Sequence, residues 1–390
     1  MRILMVHNRY QIRGGEDEVC DAEISLLQAH GHEVDLYKEH NDRLGKLNPI
    51  HSAANTIWSR HSYRKMRRQL SQKPYDIVHV HNFLPLISPS VYYAAKEQNV
   101  PVVQTLHNYR LLCPNALFFR QGSICEDCLG VSVALPGIYH GCYRNSHAAT
   151  GVVAAMNSVH YWLKTWTSAV DVYIALTEFA RQKYIQGGIP REKIKVKPNF
   201  VDRDPGVGEG KGNYGIYVGR LSVEKGIDTL LEAWQTIDNR LSLKIVGDGP
   251  LSEMVLQATE QNSSIEWLGR RPMEEVYELM GNAKVLIFPS KWYETFGRVA
   301  IEAFAKGTPV IAANIGAIAE LVDSGRTGLL FEPGKSHLLA AQVKTILDNP
   351  TKVVKMRQEA RKEYEKKYTT SRNYQQILGI YHQTIKNYNI

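Results

Sequence analysis

The chain is expected to be an α/β protein of two doubly wound, parallel-sheet domains. Three observations predict this. Short apolar strands alternate with longer helical stretches along its whole length, the signature of strands joined by helical crossovers. The alternation breaks near Lys197 and restarts at NYGIYVGRL. The length, 390 residues, supplies two sizeable hydrophobic cores.

In the first half, Arg2–Val6, Val34–Tyr37, Ile77–Val80, Val102–Leu106 and Val172–Leu176 read as buried strands, with helices such as Asp17–His30 and Pro89–Gln98 between them. In the second half, Leu243–Val246, Ile265–Leu268, Val285–Phe288, Val310–Ala312 and Leu329–Phe331 follow the restart. The stretch 197–213 is rich in proline, glycine and charge and has no periodicity, so it is assigned as the linker. The expected organisation is a first domain over 1–196, that linker, a second domain over 214–366, and a terminal helix over 367–390. In the last, Tyr374, Ile377, Tyr381 and Ile385 form one apolar stripe, expected to pack on the first domain. Two such sheets are expected to leave a crevice at their carboxyl edges, where open α/β folds bind ligands.

An apolar content of 44% with 22% charged residues is that of a globular chain rather than a disordered one. The opening MRILMVHNRY has too short an apolar run for a signal peptide, and no stretch approaches the roughly 20 apolar residues of a membrane span. The expectation is a cytoplasmic protein able to lie on the inner face of a membrane. The net charge of +8 favours anionic partners. Part of it lies in residues 57–70, where Arg60, Arg64, Lys65, Arg67 and Arg68 alternate with Trp58, Tyr63, Met66 and Leu70. This reads either as a membrane-surface helix or as a solvated basic face. No nucleic-acid-binding module accompanies it.

Four of the five cysteines cluster: Cys113, Cys125, Cys128 and Cys142. One C-x-x-C pair with two flanking thiols has the ligand count of a structural zinc or iron–sulfur site, and equally suits reduced thiols.

Several residues fall where strands are expected to end. Gly14 and Gly15 precede the first helix, where exposed N–H groups suit phosphate. In VGRLSVEKG, Gly219 and Arg220 follow a strand and Lys225 precedes the next helix, so two cations bracket one loop and suit a pyrophosphate. IVGDGP places Gly247 in a turn open to a base or sugar. In WYETFGRVAIEAFAKGTPV, Glu294 stands before a turn whose Thr295, Phe296 and Gly297 N–H groups can donate. Glu302 follows inside an apolar helix, where a carboxylate needs a partner. That partner is either an arginine or the hydroxyls of a ribose.

Together, GG after the first strand, VGRLSVEKG, VGDGP and E-T-F-G-x-x-x-x-E-A-x-x-x-G-T-P-V resemble family 4 of the retaining glycosyltransferases, of the GT-B fold, over nearly the whole chain. VKPNFVD resembles the family's linker motif, with Phe200 where glycine is usual. The resemblance implies two facing Rossmann-like domains, the first on the acceptor side and the second binding the nucleotide sugar, and a retaining hexosyltransferase that needs no metal or other cofactor. It would move a hexose from a nucleotide-diphosphate sugar, UDP-hexose such as UDP-glucose preferred, to a saccharide or lipid-linked saccharide in polysaccharide or cell-envelope synthesis. It also implies Arg220 and Lys225 on the leaving diphosphate, with Gly15 meeting it from the other domain. Glu302 would lie on the ribose, Glu294 and the N–H groups after it on the donor sugar, and His107 beside sugar and acceptor. Asn108 stands where many members have Asp. The triplet Asp202-Arg203-Asp204 mimics a metal-binding D-x-D but lies in the linker and reads as a solvated turn.

The competing readings are a nicotinamide-dependent dehydrogenase, a nucleotide-sugar epimerase or phosphorylase of the same fold, and a non-catalytic nucleotide- or membrane-surface-binding protein. Neither half carries G-x-G-x-x-G after a first strand, which counts against the first.

Overall fold

A computed structural model describes residues 1–237 and 240–388. The strands, in chain order, are β1 (Arg2–Arg9), β2 (Glu33–His40), β3 (Ile77–Asn82), β4 (Val102–Leu106), β5 (Phe119–Arg120), β6 (Ser123–Ile124), β7 (Val172–Ala175), β8 (Ile194–Val196), β9 (Tyr214–Val218), β10 (Ser242–Val246), β11 (Ile265–Gly269), β12 (Val285–Phe288), β13 (Val310–Ala313) and β14 (Gly328–Phe331). The chain divides into two compact units. The first comprises Met1–Phe118, Cys125–Pro198 and the chain from Asn373 onward; the second comprises Phe119–Ile124 and Asn199–Arg372.

The first unit holds a six-stranded sheet in the order β2-β1-β3-β4-β7-β8. Every pairing in it is parallel. β3 and β4 are buried along their whole length, which is why they read as unbroken apolar or histidine-bearing runs rather than alternating ones. Side-chain hydroxyls start the helices between them: Ser59, Ser146 and Thr177 each accept from a backbone N–H three residues on, satisfying a donor the helix itself cannot.

The second unit repeats the plan with the order β11-β10-β9-β12-β13-β14, again parallel throughout. The strand order reverses between β9 and β12, and open α/β sheets bind ligands outside the carboxyl ends of the strands at such a point. Trp234, fully buried, packs with Ile245, Ile287 and Val343 in this unit's core.

Residues 199–213, within the stretch assigned as the linker, are bound through their backbone to the rest of the second unit. The N–H groups of Gly208, Gly210 and Gly212 donate to Lys306, Gly281 and Asn282, and Arg357 donates to the Gly208 carbonyl at 2.8 Å. Asp204 is anchored by a two-pronged contact with Arg361, 2.6 and 2.7 Å. Asp204 therefore ties its segment to the rest of the second unit, while Asp202, Arg203 and Asp204 are all exposed.

The last helix, Thr370–Tyr388, seals the first unit's sheet. Its Ile377 and Tyr381 are fully buried among Ile3, Met5, Ile77 and Val103, while Tyr374 stacks on His30 with ring centroids 3.7 Å apart. Positions 389 and 390 of the expected terminal helix lie outside the described residues. The basic segment forms a helix over Arg60–Gln72. Met66 and Leu70 are buried and Trp58 packs on Tyr93, so its apolar residues serve the fold, while all five basic residues stay exposed.

Beneath the first sheet lies a buried polar network. Lys197, fully buried, donates to Glu23 Oε1 at 2.6 Å. His81 Nε2 stands 3.4 Å from the other Glu23 oxygen. His79 bridges Thr105 Oγ1 (2.8 Å) and the Tyr381 hydroxyl (2.6 Å). Burial pushes the Glu23 carboxyl up, but Lys197 and then His81 outweigh it and hold it well below the usual carboxylate range. Burial depresses His79, His81 and His107, so each is neutral in the fold at neutral pH.

Two outcomes follow from this network. Lys197→Met strands a buried carboxylate and is expected to cost about 3–5 kcal/mol in urea denaturation, with much of the loss recovered in the double variant Lys197→Met/Glu23→Leu. Because the three histidines bind protons more readily when unfolded, they add stability that is present above their unfolded value of 6.5 and lost as pH falls through it toward their folded values. Glu23 extends the loss below its own unfolded value of 4.5. The melting temperature should therefore fall as pH drops below 6.5, and His79→Gln should reduce that slope by about one proton.

Candidate active site

In the second unit, the loops after β9 and β12 meet at the point of strand-order reversal. Both depend on glycine. Gly226, at φ 72°, starts the helix Ile227–Thr236, and a Cβ on it would lie 2.0 Å from the Pro289 carbonyl oxygen. The two loops therefore touch through backbone, which no larger residue allows. Lys225, the residue before, extends to Glu294 on the other loop: Nζ to Oε1 is 2.6 Å. Ser290 Oγ and Trp292 Nε1 donate to the same oxygen, each at 2.9 Å. Glu294 is 7% exposed, so three donors compensate a carboxylate largely withdrawn from water. The Lys225 ammonium also lies 5.3 Å from the Trp292 ring centre.

Arg220 is exposed two residues beyond β9. Its carbonyl accepts from the Tyr217 hydroxyl at 2.8 Å, which braces the turn at Gly219. The turn carrying Gly247 is fused to that loop: Leu221 N–H donates to the Asp248 carbonyl at 2.8 Å, and Gly219 N–H to Val246 at 3.0 Å. A Cβ on Gly247, at φ 132°, would fall 1.9 Å from the Gly219 carbonyl oxygen. Contact between the two loops already demands this glycine.

Thr295 and buried Phe296 lead into Gly297, which takes φ 106° and caps the helix Arg298–Ala305. The partner of Glu302 is on its own helix: Arg298, one turn earlier, donates to Oε1 at 2.9 Å. Glu302 is 3% exposed. The arginine alternative for this buried charge is thus present in the fold, and i,i+4 spacing supplies it.

The first unit holds the other expected residues. His107 directly follows β4, 8% exposed, with Nε2 2.9 Å from His81 Nδ1. The two rings are coupled: whichever of these nitrogens carries the proton donates to the other. A cavity of about 30 Å³ adjoins His107, His81, Asn82 and Arg110. Asn108 donates to Glu16 Oε1 at 2.6 Å and Tyr10 to Oε2 at 2.9 Å. Gly14 caps the helix Gly15–Ala29. Added Cβ atoms on Gly14 and Gly15 would meet nothing within 4 Å, so packing within the fold gives no reason for either glycine.

Thus Lys225 and Glu294 are brought into direct contact, Glu302 and the N–H groups before it lie on the same loop and helix, and His107 and the glycine pair belong to the other unit. Sequence reasoning missed Ser290, Trp292 and Arg298. It also missed the layer under His107: His81, His79, Glu23 and Lys197. Arg298 was legible from its spacing to Glu302. The HVH alternation of β3 puts His79 and His81 on one face of a strand, the one signal for that layer.

The glycosyl transferases group 1 profile matches residues 202–363, and the glycosyltransferase family 4 profile matches residues 14–205. An uncharacterized glycosyltransferase of Methanocaldococcus jannaschii is 30% identical over 223 residues, 57% of this chain and 62% of that protein. The match thus spans less than two thirds of that relative. Among solved structures, HepE of Anabaena in complex with UDP superposes with a TM-score of 0.70 at 19% identity, over 98% of this chain and all of that one. Sucrose-phosphate synthase of Thermosynechococcus elongatus superposes with 0.72 at 20% identity, over 99% of both chains. At that identity the superpositions establish the fold, GT-B. The two family profiles, which overlap at residues 202–205 and together span residues 14–363, place the chain in glycosyltransferase family 4, the group 1 glycosyl transferases.

Proposed function

We propose that the protein is a retaining hexosyltransferase that uses a nucleotide-diphosphate sugar, UDP-hexose in the first instance, and a saccharide or lipid-linked saccharide acceptor. The observation that carries the reading is the Lys225–Glu294 contact of 2.6 Å at the strand-order reversal, with Arg220 exposed on the same loop. A cation pair on one side and a carboxylate followed by N–H groups on the other match the two ends of a sugar diphosphate. That HepE is in complex with UDP and with UDP-glucose supports the choice of donor.

In this mechanism Lys225 and Arg220 hold the diphosphate and stabilise the charge that grows on it as its bond to the sugar C1 breaks. Glu294 accepts from donor-sugar hydroxyls while the N–H groups of Thr295, Phe296 and Gly297 donate to the sugar. Glu302 accepts from the ribose, with Arg298 keeping it ionised and in place. The acceptor oxygen bonds to C1 on the face the diphosphate leaves, and its proton passes to a leaving phosphate oxygen. The configuration is retained without a covalent enzyme intermediate. His107, in contact with His81, would stand beside the donor sugar and the acceptor. Arg220 and Lys225 supply the positive charge that a catalytic metal would otherwise bring. The exposed basic face of Arg60–Gln72 would attract an anionic bilayer surface carrying a lipid-linked acceptor. No described helix is long and apolar enough to cross a membrane.

A thermal-shift panel with UDP, GDP, ADP and NAD, run in EDTA, tests the donor site. One nucleoside diphosphate should stabilise the wild type, and Glu302→Gln should abolish that shift; stabilisation by NAD alone, or by none, overturns the reading. Release of UDP from UDP-glucose tests the chemistry. Lys225→Ala and Arg220→Ala should each lower kcat roughly 10²–10³-fold, and Glu294→Gln should reduce it as well. Near-normal rates in all three variants would sink the mechanism.

A further inference from the structure

The helix His147–Trp162 ends on Tyr161 and Trp162, and Leu163 follows; all three are exposed. Three consecutive large apolar side chains in water form a patch rather than a scattered exposure. One turn earlier the same helix carries Asn157 and Ser158, which i,i+4 spacing sets beside Tyr161 and Trp162. These four residues line a cavity of about 590 Å³ in the first unit, with Trp166 and, on the chain leaving β4, Leu111. Small-molecule sites occupy roughly 300–1,000 Å³.

Two polar atoms at this cavity have no use within the fold. Ser158 is 4% exposed, yet its hydroxyl has no hydrogen-bond partner among the described residues. The Asn157 amide is held by Nδ2, which donates to the Arg110 carbonyl at 2.8 Å. That leaves its Oδ1, also buried, without a donor. Native folds rarely leave such groups unpaired, because each has given up its water for nothing. Here two of them adjoin on one helix and face one cavity. Among the described lining residues Lys164 bears the single charge.

Aromatic faces, a free hydroxyl, a free amide oxygen and little charge select a neutral polar molecule that also has an apolar face. A saccharide meets each demand. Its ring C–H groups lie on an aromatic surface, while its hydroxyls donate to Asn157 Oδ1 and pair with Ser158 Oγ. An alkyl chain would cover the rings but leave both polar atoms unpaired, and a phosphorylated ligand would find one cation.

We propose that this cavity is a saccharide-binding subsite, with Tyr161 and Trp162 as its stacking surface and Asn157 and Ser158 as its hydrogen-bonding groups. Leu111 and Arg110 also line the small cavity beside His107. Leu111 is therefore a wall common to both, and the Arg110 carbonyl ties the Asn157 amide to the chain that leaves His107. For its use the subsite rests on the transferase reading: it holds acceptor sugar units away from the reacting hydroxyl and so selects which saccharide is extended.

The test is calorimetric titration of the full chain with maltose, lactose, cellobiose and N,N′-diacetylchitobiose, and with laurate as the alkyl probe. At least one disaccharide should bind saturably. Ser158→Ala strands no partner and Trp162→Ala removes an exposed ring, so both variants should fold, as a melting curve will show. Each should bind that disaccharide more weakly, Ser158→Ala by roughly 3–10-fold. Unchanged affinity in either variant, binding of laurate but of no disaccharide, or binding of no probe would each overturn the proposal. A thermal shift with UDP on the same protein reads the second unit separately. A UDP shift without disaccharide binding overturns the subsite alone, whereas disaccharide binding without any nucleotide shift sustains the subsite and removes the transferase reading.

Discussion

In a parallel sheet every strand ends on the same edge, and that constraint does most to determine what this protein can do. Lys225 and Glu294 are 69 positions apart, yet each lies in the loop that leaves one of two adjacent strands, β9 and β12. Their meeting needs no special device beyond a backbone close enough for the loops to touch. Gly226 supplies that closeness, since any side chain there would strike the Pro289 carbonyl. The same edge of the first sheet carries His107.

Buried charge is the second organising theme, and the two units resolve it differently. Glu294 is compensated by one ammonium and two neutral donors on a single oxygen, a polar arrangement at the mouth of a crevice. Glu302 is balanced by an arginine one turn away, itself partly exposed. Glu23 is different in kind. With Lys197 it forms an ion pair from which water is excluded, where desolvation of each ion costs several kcal/mol and only close pairing offsets it. Such a pair is weak evidence for stability. It is better evidence for position, because it sets the electrostatic surroundings of His81, the ring in contact with His107.

The sequence pattern was most reliable where burial is two-sided. Val102–Leu106 and Val285–Phe288 were legible to the residue because both are buried along their length. It failed at Ile194–Val196, a short edge strand with little apolar content of its own, and at β5–β6, too short for any period. The composition of residues 199–213, rich in proline, glycine and charge, marks a stretch without periodicity but does not show that its backbone is bound, as Gly208, Gly210 and Gly212 are here. The segment 57–70 shows the converse: an amphipathic pattern says that an apolar face must be covered, not what covers it, and here the fold does.

By itself, then, the sequence determined the two α/β halves, the order of their strands along the chain, and the residue types at the strand ends, because periodicity and short motifs are local properties of the chain. Only the tertiary structure decided which strands are neighbours, that Arg298 rather than a distant arginine balances Glu302, and that a histidine–glutamate–lysine layer supports His107. Those are matters of pairing. A side chain's partner is set by strand order and loop geometry, which depend on contacts tens to hundreds of residues apart, and no local pattern records them.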